Sequence, residues 1–226
     1  MKLHNTVLAI TLSLLYTTAS LAAENPAISV DLKTQSGEIK TVTILRGDEN
    51  GNLNTDKLLK RGEAVQLIVN IMGISKAAES HEGDVTFRDI PKSHFAFKPA
   101  YAVRKYGDLL QGRGNNMFEP DENIKYEEYI KLLVYLLGYY PIAEEHGGYP
   151  EGYMFAAKQI GLADDTASEH SEFISRKEAA LLAEKTLSVP MMKRVAFAPD
   201  RPAEYEIQDG KDGRKLERFF DRFYSE

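Results

Sequence analysis

The chain has 226 residues, with 28 lysines and arginines against 34 aspartates and glutamates, and a formal net charge of −6 at pH 7. This acidic balance argues against sequence-independent nucleic-acid binding, which needs a basic surface, but it is compatible with a local basic site for an anionic ligand. The chain contains no cysteine, so its folded state depends on its core alone, a composition typical of secreted proteins of Gram-positive bacteria.

Residues 1–22 have the pattern of a secretory signal peptide. Lys2 gives a basic start, the stretch from Val7 to Tyr16 is mostly apolar, and the small residues Ser20 and Ala22 fit a signal peptidase site. The apolar run is too short for a good transmembrane span. We therefore predict an exported protein that is cleaved after Ala22, with an uncleaved membrane anchor as the alternative.

The stretch from Ala27 to Leu45 predicts a β-hairpin. It alternates between polar and apolar residues, is rich in Thr, Val and Ile, and has Ser36-Gly37 at its middle. The residues that follow begin like a calcium loop at Asp48. A twelve-residue calcium loop would need glycine and an acid at the positions of Leu53 and Leu59, so we predict a turn instead.

Three segments of the chain align without gaps and predict three similar helices. They read LKRGEAVQLIVNIMG, IKYEEYIKLLVYLLG and ISRKEAALLAEKTLS, and they begin at Leu59, Ile124 and Ile174. In each segment a glutamate follows four positions later, at Glu63, Glu128 and Glu178. Apolar residues then recur at helical spacing, so each segment predicts a helix with one buried face.

The first turn of each repeated helix has its own predicted chemistry. Ser175 and Glu178 have the spacing of a capping box. Lys60 and Lys125 occupy the cap position in the other two segments, which therefore keep only the glutamate half of the box. All three glutamates remain favourable at a helix N-terminus because of the helix dipole.

The second and third repeated helices are each preceded by another predicted helix. Ahead of Ile124 we predict a short loop from Phe87, a helix from about Phe95 to Tyr106, a turn over residues 111–116 and an extended corner over residues 118–120. Ahead of Ile174 the sequence predicts a helix that stops at Gly161.

This arrangement resembles the S-layer homology domain of bacterial cell-surface proteins, from roughly Leu45 to Leu187. The fullest repeat contains Phe87-x-Asp89-Ile90-Pro91, His94-Phe95-Ala96 and Phe118-x-Pro120. Repeats of that family carry a tetrad similar to Thr-Arg-Ala-Glu at the start of the second helix. The matching tetrads here are Lys60 to Glu63, Lys125 to Glu128 and Ser175 to Glu178.

The resemblance implies a mainly α-helical fold, with three S-layer homology repeats around a pseudo-threefold helical bundle. We predict in addition an N-terminal β-hairpin and a C-terminal helix. The expected division is a signal peptide, the hairpin with a first, atypical repeat, a second repeat, a third repeat, and a linker with an amphipathic helix. These units are residues 1–22, 23–80, 81–140, 141–190 and 191–226.

The resemblance also implies a function, which is non-covalent anchoring at the bacterial cell wall or S-layer. The implied ligand is an anionic secondary cell-wall polysaccharide, often pyruvylated, which binds in grooves between repeats. The role of the tetrad arginine falls to Arg61 and Arg176, since a guanidinium at a helix N-terminus forms charge-assisted bonds to a carboxylate. The alternative is that both arginines are solvated cations of the first helical turn.

Two positions depart from the family pattern. The second tetrad has Tyr126 where arginine is expected, so one groove is weak unless Lys125 substitutes or Tyr126 stacks on a sugar face. Phe95 stands where the family has tryptophan, and the chain contains no tryptophan. The candidate polysaccharide-binding residues are thus Arg61, Arg176, Lys125, Tyr126 and Phe95, and the structural acids of the tetrads are Glu63, Glu128 and Glu178.

The C-terminal residues predict an added segment. Met191 to Pro202 is interpreted as irregular, Glu204 to Ile207 as a short strand, and Arg214 to Tyr224 as a helix with an aromatic face. We expect that face, which includes Leu216, to pack on the repeats. The alternative function is a cell-surface scaffold that binds a protein partner through this helix.

Catalytic and metal-binding motifs are missing from the sequence. The four histidines that follow residue 22 include no pair at the i, i+4 spacing of a helical zinc site. Gly-x-Ser-x-Gly and phosphate-binding loops do not occur. We therefore predict a protein that is not an enzyme and needs no cofactor or metal.

Overall fold

A computed structural model describes residues 26–80, 87–105, 109–164, 172–198, 201–212 and 214–224. The predicted signal peptide lies outside these residues. In the ranges given, no helix has the length and apolar character that a membrane span requires.

The described residues form four strands and eight helices. The strands are β1 (Ala27–Lys33), β2 (Ile39–Arg46), β3 (Met192–Ala198) and β4 (Arg201–Ile207). The helices are α1 (Arg61–Ile71), α2 (Ser75–Glu79), α3 (Phe97–Lys105), α4 (Tyr126–Leu136), α5 (Tyr140–Glu145), α6 (Glu151–Gln159), α7 (Arg176–Ser188) and α8 (Phe219–Tyr224).

The predicted N-terminal hairpin is confirmed. Strands β1 and β2 pair in antiparallel register, and the turn between them contains Gly37 at a φ of +93°, a conformation that glycine adopts without steric cost. The side chains of Val42, Ile44 and Leu45 are buried. The hairpin therefore supplies an apolar face to the core, against which α1 packs.

The three predicted repeated helices are α1, α4 and α7, and a ring of backbone hydrogen bonds joins their starting points. The N–H of Ile124 donates to the carbonyl of Leu59 at 2.9 Å, that of Leu59 to Ile174 at 2.8 Å, and that of Ile174 to Ile124 at 3.2 Å. All three side chains are buried. Each helix start is thus fixed by the other two.

A second set of hydrogen bonds runs around the same ring. The N–H of the first residue of each repeated helix donates to a carbonyl in the segment before the next one. These bonds join Arg61 to Glu122, Tyr126 to Glu172 and Arg176 to Lys57, at 2.9 to 3.0 Å. They satisfy one of the N–H groups that a helix start leaves without an intrahelical partner.

The helix caps follow the sequence prediction. Ser175 and Glu178 form the reciprocal capping box, with bonds of 3.2 Å from Glu178 N to Ser175 Oγ and 2.9 Å from Ser175 N to Glu178 Oε2. In α1 and α4 the glutamate alone accepts from the cap residue's N–H. The ammonium groups of Lys60 and Lys125 have no acceptor and cannot complete the box.

Helices α3 and α6 confirm the predicted preceding helices, whereas the predicted extended corner at 118–120 is wrong. Glu119 has a φ of +58°, in the left-handed region. The carboxylate of Asp89 accepts the N–H groups of Phe118 at 2.9 Å and Glu119 at 2.6 Å, which stabilises this conformation. Helix α5 was not anticipated from the sequence.

The C-terminal segment contains more strand than the sequence predicted. The described part of the predicted irregular stretch from Met191 to Pro202 is mostly strand, because residues 192–198 form β3 and residues 201–202 begin β4. The predicted strand from Glu204 to Ile207 lies within β4. In a two-stranded sheet each strand is an edge strand, where Pro202 is tolerated without its N–H.

The predicted C-terminal helix is shorter than expected, since only Phe219–Tyr224 is helical. Phe219 and Phe220 are 0% exposed, and the hydroxyl of Tyr224 donates to the carbonyl of Asn70 at 3.0 Å. The aromatic face therefore packs on the repeated helices, as predicted. Leu216, which was expected to belong to this face, is exposed instead. The rings of Phe219 and Phe220 are not accessible to a partner, and binding of a partner through this helix stays an untested alternative.

Candidate functional site

Arg61 crosses from the start of α1 to α4. Its side chain is buried, with 6% of the residue's surface exposed. Nε donates to the carbonyl of Phe118 at 2.8 Å, Nη1 lies 3.1 Å from Glu128 Oε1, and the guanidinium stands 4.9 Å from the centre of the Phe118 ring. Burial lowers the pKa of Arg61, and Glu128 opposes that shift. Arg61 is therefore a buried connection between two repeated helices.

Arg176 makes the same kind of connection from α7 to α1. It is 8% exposed, and its Nη1 pairs with the carboxylate of Glu63. Nε donates to the carbonyl of Leu53 at 2.9 Å and Nη2 to that of Arg46 at 3.2 Å. The alternative in which Arg61 and Arg176 are solvated first-turn cations is wrong.

Tyr126 occupies the position of these arginines in α4, and it cannot stack on a sugar. The residue is only 6% exposed. Burial first, and then the nearby charges of Asp164 and Glu178, raise the pKa of Tyr126 to about 12. A neutral, buried phenol thus faces Glu178 where the other two connections have an ion pair.

Lys125 does not replace the missing arginine. Its Nζ pairs with Glu172 at 2.8 Å, and this contact raises the pKa of Lys125. The residue lines a further depression of ≈ 490 Å³, which Arg113 also borders. Four carboxylate residues share that depression, so it does not favour an anion: Asp89, Glu119, Asp121 and Glu122.

One groove, which we call the first groove, lies beside Arg176 and α1 and has a volume of ≈ 750 Å³. Phe95 is 52% exposed and provides an aromatic wall. Charged residues of both signs line the rest of it: Arg46, Asp48, Glu49, Lys57, Lys60, Glu63 and Arg176. Phe95 and Arg176, both predicted as binding residues from the sequence, therefore lie in the same groove.

The position of Phe95 is held by its neighbours. The ring of His94 lies against that of Phe95, with centroids 4.7 Å apart, and His94 Nδ1 accepts the N–H of Ala96 at 3.1 Å. His94 Nε2 lies 3.3 Å from Asp121, whose other oxygen accepts from Lys60 at 3.1 Å. The hydrogen bond from Lys60 lowers the pKa of Asp121.

The second groove lies beside Arg61 and α4 and has a volume of ≈ 140 Å³. Tyr149 is its exposed aromatic, at 43%, and Lys131 Nζ stands 5.2 Å from the centre of that ring. Burial raises the pKa of Tyr149 to about 12, with a further contribution from Glu127. Tyr149 lies two residues before α6, just as Phe95 lies two residues before α3.

The second groove is the more basic of the two. Among the described residues that line it are three cations, Arg61, Arg113 and Lys131, and one carboxylate, Glu128. Arg113 lies 2.9 Å from Glu128 and 3.3 Å from Glu119. Arg113, Lys131 and Tyr149 were not predicted from the sequence, although the equivalent positions of Tyr149 and Phe95 could have identified Tyr149.

Two of the three tetrad glutamates have two tasks each. Glu63 and Glu128 hold the N–H of their cap lysine and an arginine from the preceding repeated helix. Glu178 closes its own capping box. In the part of the chain that the structure describes, no three histidine, aspartate or glutamate side chains form a metal site.

Comparisons with known proteins relate the chain to cell-surface proteins of bacteria. Residues 86–130 match the model of the S-layer homology domain. The chain is 26% identical over 155 residues to the "Cell surface protein" of Thermoanaerobacter kivui, a match that covers 68% of the chain and 20% of that relative. It is 24% identical over 205 residues to the "Middle cell wall protein" of Brevibacillus brevis, covering 88% of the chain and 19% of the relative.

A third relative extends the pattern. The "Surface layer protein" of Brevibacillus choshinensis is 22% identical over 203 residues, which cover 88% of the chain and 18% of that protein. The chain thus spans about a fifth of the length of these relatives.

Proposed function

We propose that the chain, whose residues 86–130 match the S-layer homology domain, lies at the cell surface and binds an anionic cell-wall polysaccharide in the two grooves. The observation that carries this proposal is the second groove, where Arg113 and Lys131 stand beside the exposed ring of Tyr149. Cations attract a carboxylate such as that of a pyruvate ketal, and an aromatic ring offers an apolar face to a sugar.

The fold that we propose consists of three repeats around a pseudo-threefold axis, the first of them atypical. The ring of backbone hydrogen bonds through Leu59, Ile124 and Ile174 supports this arrangement, because each helix start repeats the same bond to the next. In the first repeat the hairpin β1–β2 takes the place of the preceding helix that the other two repeats have.

The two arginines have a different role from the exposed cations in this proposal. Arg61 and Arg176 are buried and already paired with Glu128 and Glu63, so they hold the groove walls and add positive charge to them. A ligand carboxylate meets Arg113 and Lys131 in the second groove, since both side chains are more accessible than Arg61. In the first groove Lys60 and the ring of Phe95 have the corresponding tasks.

The third position around the ring, at Tyr126 and Glu178, contributes no groove cation in this account. It lacks the arginine, its tyrosine is buried, and Lys125 is engaged by Glu172. We propose that the protein anchors through the first and second grooves, and that it acts by binding rather than by catalysis.

Co-sedimentation with purified sacculi tests this function. The chain is expected to sediment with sacculi and to remain in solution after hydrofluoric acid has removed the secondary polymer. The double variant Arg113→Ala, Lys131→Ala should lose most of the binding, whereas Lys125→Ala, a matched exposed cation outside both grooves, should keep it. Sedimentation that does not depend on the polymer would refute the proposal, and equal binding by both variants would refute the second groove.

A further inference from the structure

We propose that a row of tyrosines extends the second groove into a longer surface for the same polysaccharide, which ends on the C-terminal hairpin. This inference rests on the proposed function. The row, which we call the tyrosine strip, consists of five of the described tyrosines: Tyr149, Tyr153, Tyr135, Tyr140 and Tyr205.

The rings of the strip form two groups in ring contact, one of Tyr149 and Tyr153 and one of Tyr135, Tyr140 and Tyr205. Ring centroids are 6.5 Å apart for Tyr149 and Tyr153, 4.9 Å for the stacked pair Tyr135 and Tyr140, and 6.1 Å for Tyr140 and Tyr205. The hydroxyls of Tyr140 and Tyr205 are 3.1 Å apart. Burial and a hydrogen bond to Glu144 raise the pKa of Tyr153, with further contributions from Tyr135 and Tyr140.

The strip begins in the groove. Lys131 Nζ stands 5.2 Å from the ring of Tyr149 and 5.7 Å from that of Tyr153. Lys131 and Tyr135 are four residues apart on α4 and therefore lie on the same face of the helix. The surface is thus continuous from the groove cation along α4.

Most of the strip is accessible to a ligand. Tyr149 is exposed, and Tyr135, Tyr140 and Tyr205 are half-buried, whereas Tyr153 is buried and supports its neighbours from below. Rings in this state present one face or edge to solvent while the rest is fixed by packing.

The far end of the strip is held in a fixed position. The N–H of Met192, at the start of β3, donates to the carbonyl of Leu137 at 2.9 Å, and the hydroxyl of Tyr139 donates to the carbonyl of Pro190 at 2.9 Å. Gly138 has a φ of +88° and leaves no room for a side chain against Met192. The hairpin therefore carries Tyr205 to the end of α4 without freedom to move away, and a surface held in its binding geometry loses little entropy on binding.

The chemistry of the strip favours a carbohydrate over a protein segment. Tyrosine combines an apolar ring with a polar hydroxyl, and a sugar combines apolar C–H faces with hydroxyls. Glu127 accepts from Tyr149 at 3.5 Å and Glu144 from Tyr153 at 2.9 Å, so hydrogen-bonding groups of both kinds flank the rings. A polymer whose charged residue occupies the second groove would continue along this surface.

Titration with two probes tests the inference. One is the long polysaccharide released from sacculi by hydrofluoric acid, and the other is a fragment of it that holds a single repeating unit. The intact chain should bind the polymer about five- to tenfold more tightly than the fragment, an advantage the size of one or two aromatic contacts. Tyr205→Ala and Tyr205→Glu should remove that advantage and leave fragment binding unchanged.

Two further variants separate ring contact from effects on folding. Tyr205→Phe keeps the ring, loses only the hydroxyl bond to Tyr140, and should keep the advantage. Ile39→Glu adds the same charge to the exposed face of the other hairpin and should have no effect. If Tyr205→Glu binds the polymer as tightly as the intact chain, or if polymer and fragment bind equally to the intact chain, the strip is overturned while the groove stands. If neither probe binds, the proposed function fails as well.

Discussion

Replacement of Arg61 by alanine is expected to destabilise the protein far more than replacement of Arg113, although both residues pair with the same carboxylate. Arg61 has a side-chain exposure of 7% in its pair with Glu128, and that of Arg113 is 36%. Removing one partner of a buried ion pair costs roughly 3–5 kcal/mol, whereas an exposed pair contributes about 0–1 kcal/mol.

The local contacts refine that magnitude. Without Arg61 the carbonyl of Phe118 loses the donor that lies 2.8 Å away, at a cost of roughly 1–3 kcal/mol. Glu128 would still hold Arg113 and the N–H of Lys125, so its charge is not left unpaired. We therefore expect about 3 kcal/mol for Arg61→Ala, at the low end for a buried pair, and under about 1 kcal/mol for Arg113→Ala.

Urea unfolding followed by circular dichroism measures both values. With a slope of about 2 kcal/mol/M, the midpoint should fall by about 1.5 M for Arg61→Ala and by less than about 0.5 M for Arg113→Ala. Arg61→Lys keeps the charge but not the paired donors of the guanidinium, and it should fall between them. Equal midpoints for the two alanine variants would refute the assignment of Arg61 as a buried connection between repeated helices.

Three other predictions concern the repeated helices. Ser175→Ala should lower the free energy of unfolding by about 1 kcal/mol, because it removes the side chain that caps α7. Lys60→Ala removes no cap acceptor and should lower the free energy of unfolding by less in the same urea assay. The reverse order would contradict the capping account. Gly62→Ala should lower the free energy of unfolding by roughly 1–3 kcal/mol and weaken sacculus binding. The added Cβ would lie 3.1 Å from the Phe95 ring and 3.1 Å from the Pro120 carbonyl. Unchanged stability and binding would show that Phe95 does not pack on α1. The pKa of Tyr126 is raised from its ordinary value near 10 to about 12, so the stability that its neutral form contributes is complete below pH 10 and is lost as the pH rises through 12. Tyr126→Phe should flatten this alkaline decline in the free energy of unfolding. An unchanged decline would contradict the burial of the Tyr126 phenol.

Local patterns were sufficient to predict the elements that depend on them. The apolar spacing after Leu59, Ile124 and Ile174 predicted α1, α4 and α7, and the alternation around Ser36-Gly37 predicted β1 and β2. Each of these patterns reflects a single periodicity within one short segment. The helical spacing of the aromatic residues from Phe219 to Tyr224 likewise predicted that this face packs on the repeated helices.

The missed features depend on contacts between distant residues. The left-handed backbone of Glu119 is stabilised by Asp89, 30 positions earlier in the chain. The strands β3 and β4 were obscured because Pro202 suggested an irregular segment, although an edge strand such as β4 tolerates proline. The pairing of Arg61 with Glu128 spans 67 positions, so no local pattern could indicate that the predicted binding arginines are buried.

The residues of the candidate site also divide into those that the sequence predicted and those that depend on contacts between distant parts of the chain. Phe95 and the two arginines were identified from the family pattern, and the structure brings each to a groove. Arg113 and Lys131 become groove residues only when the loop before Met117 and the face of α4 meet. Tyr126 occupies the arginine position of its tetrad and Lys125 precedes it, but Tyr126 is buried and Lys125 is held by Glu172.

The central claim is that the cations of the second groove bind the negative charge of the polysaccharide. Isothermal titration of the intact chain with the purified polymer, before and after chemical reduction of its carboxylates, tests this claim most directly. We predict that reduction weakens binding to the intact chain by at least about tenfold, and that it has little effect on the weaker binding of the Arg113→Ala, Lys131→Ala variant. Equal affinity of the intact chain for both forms of the polymer would contradict the account.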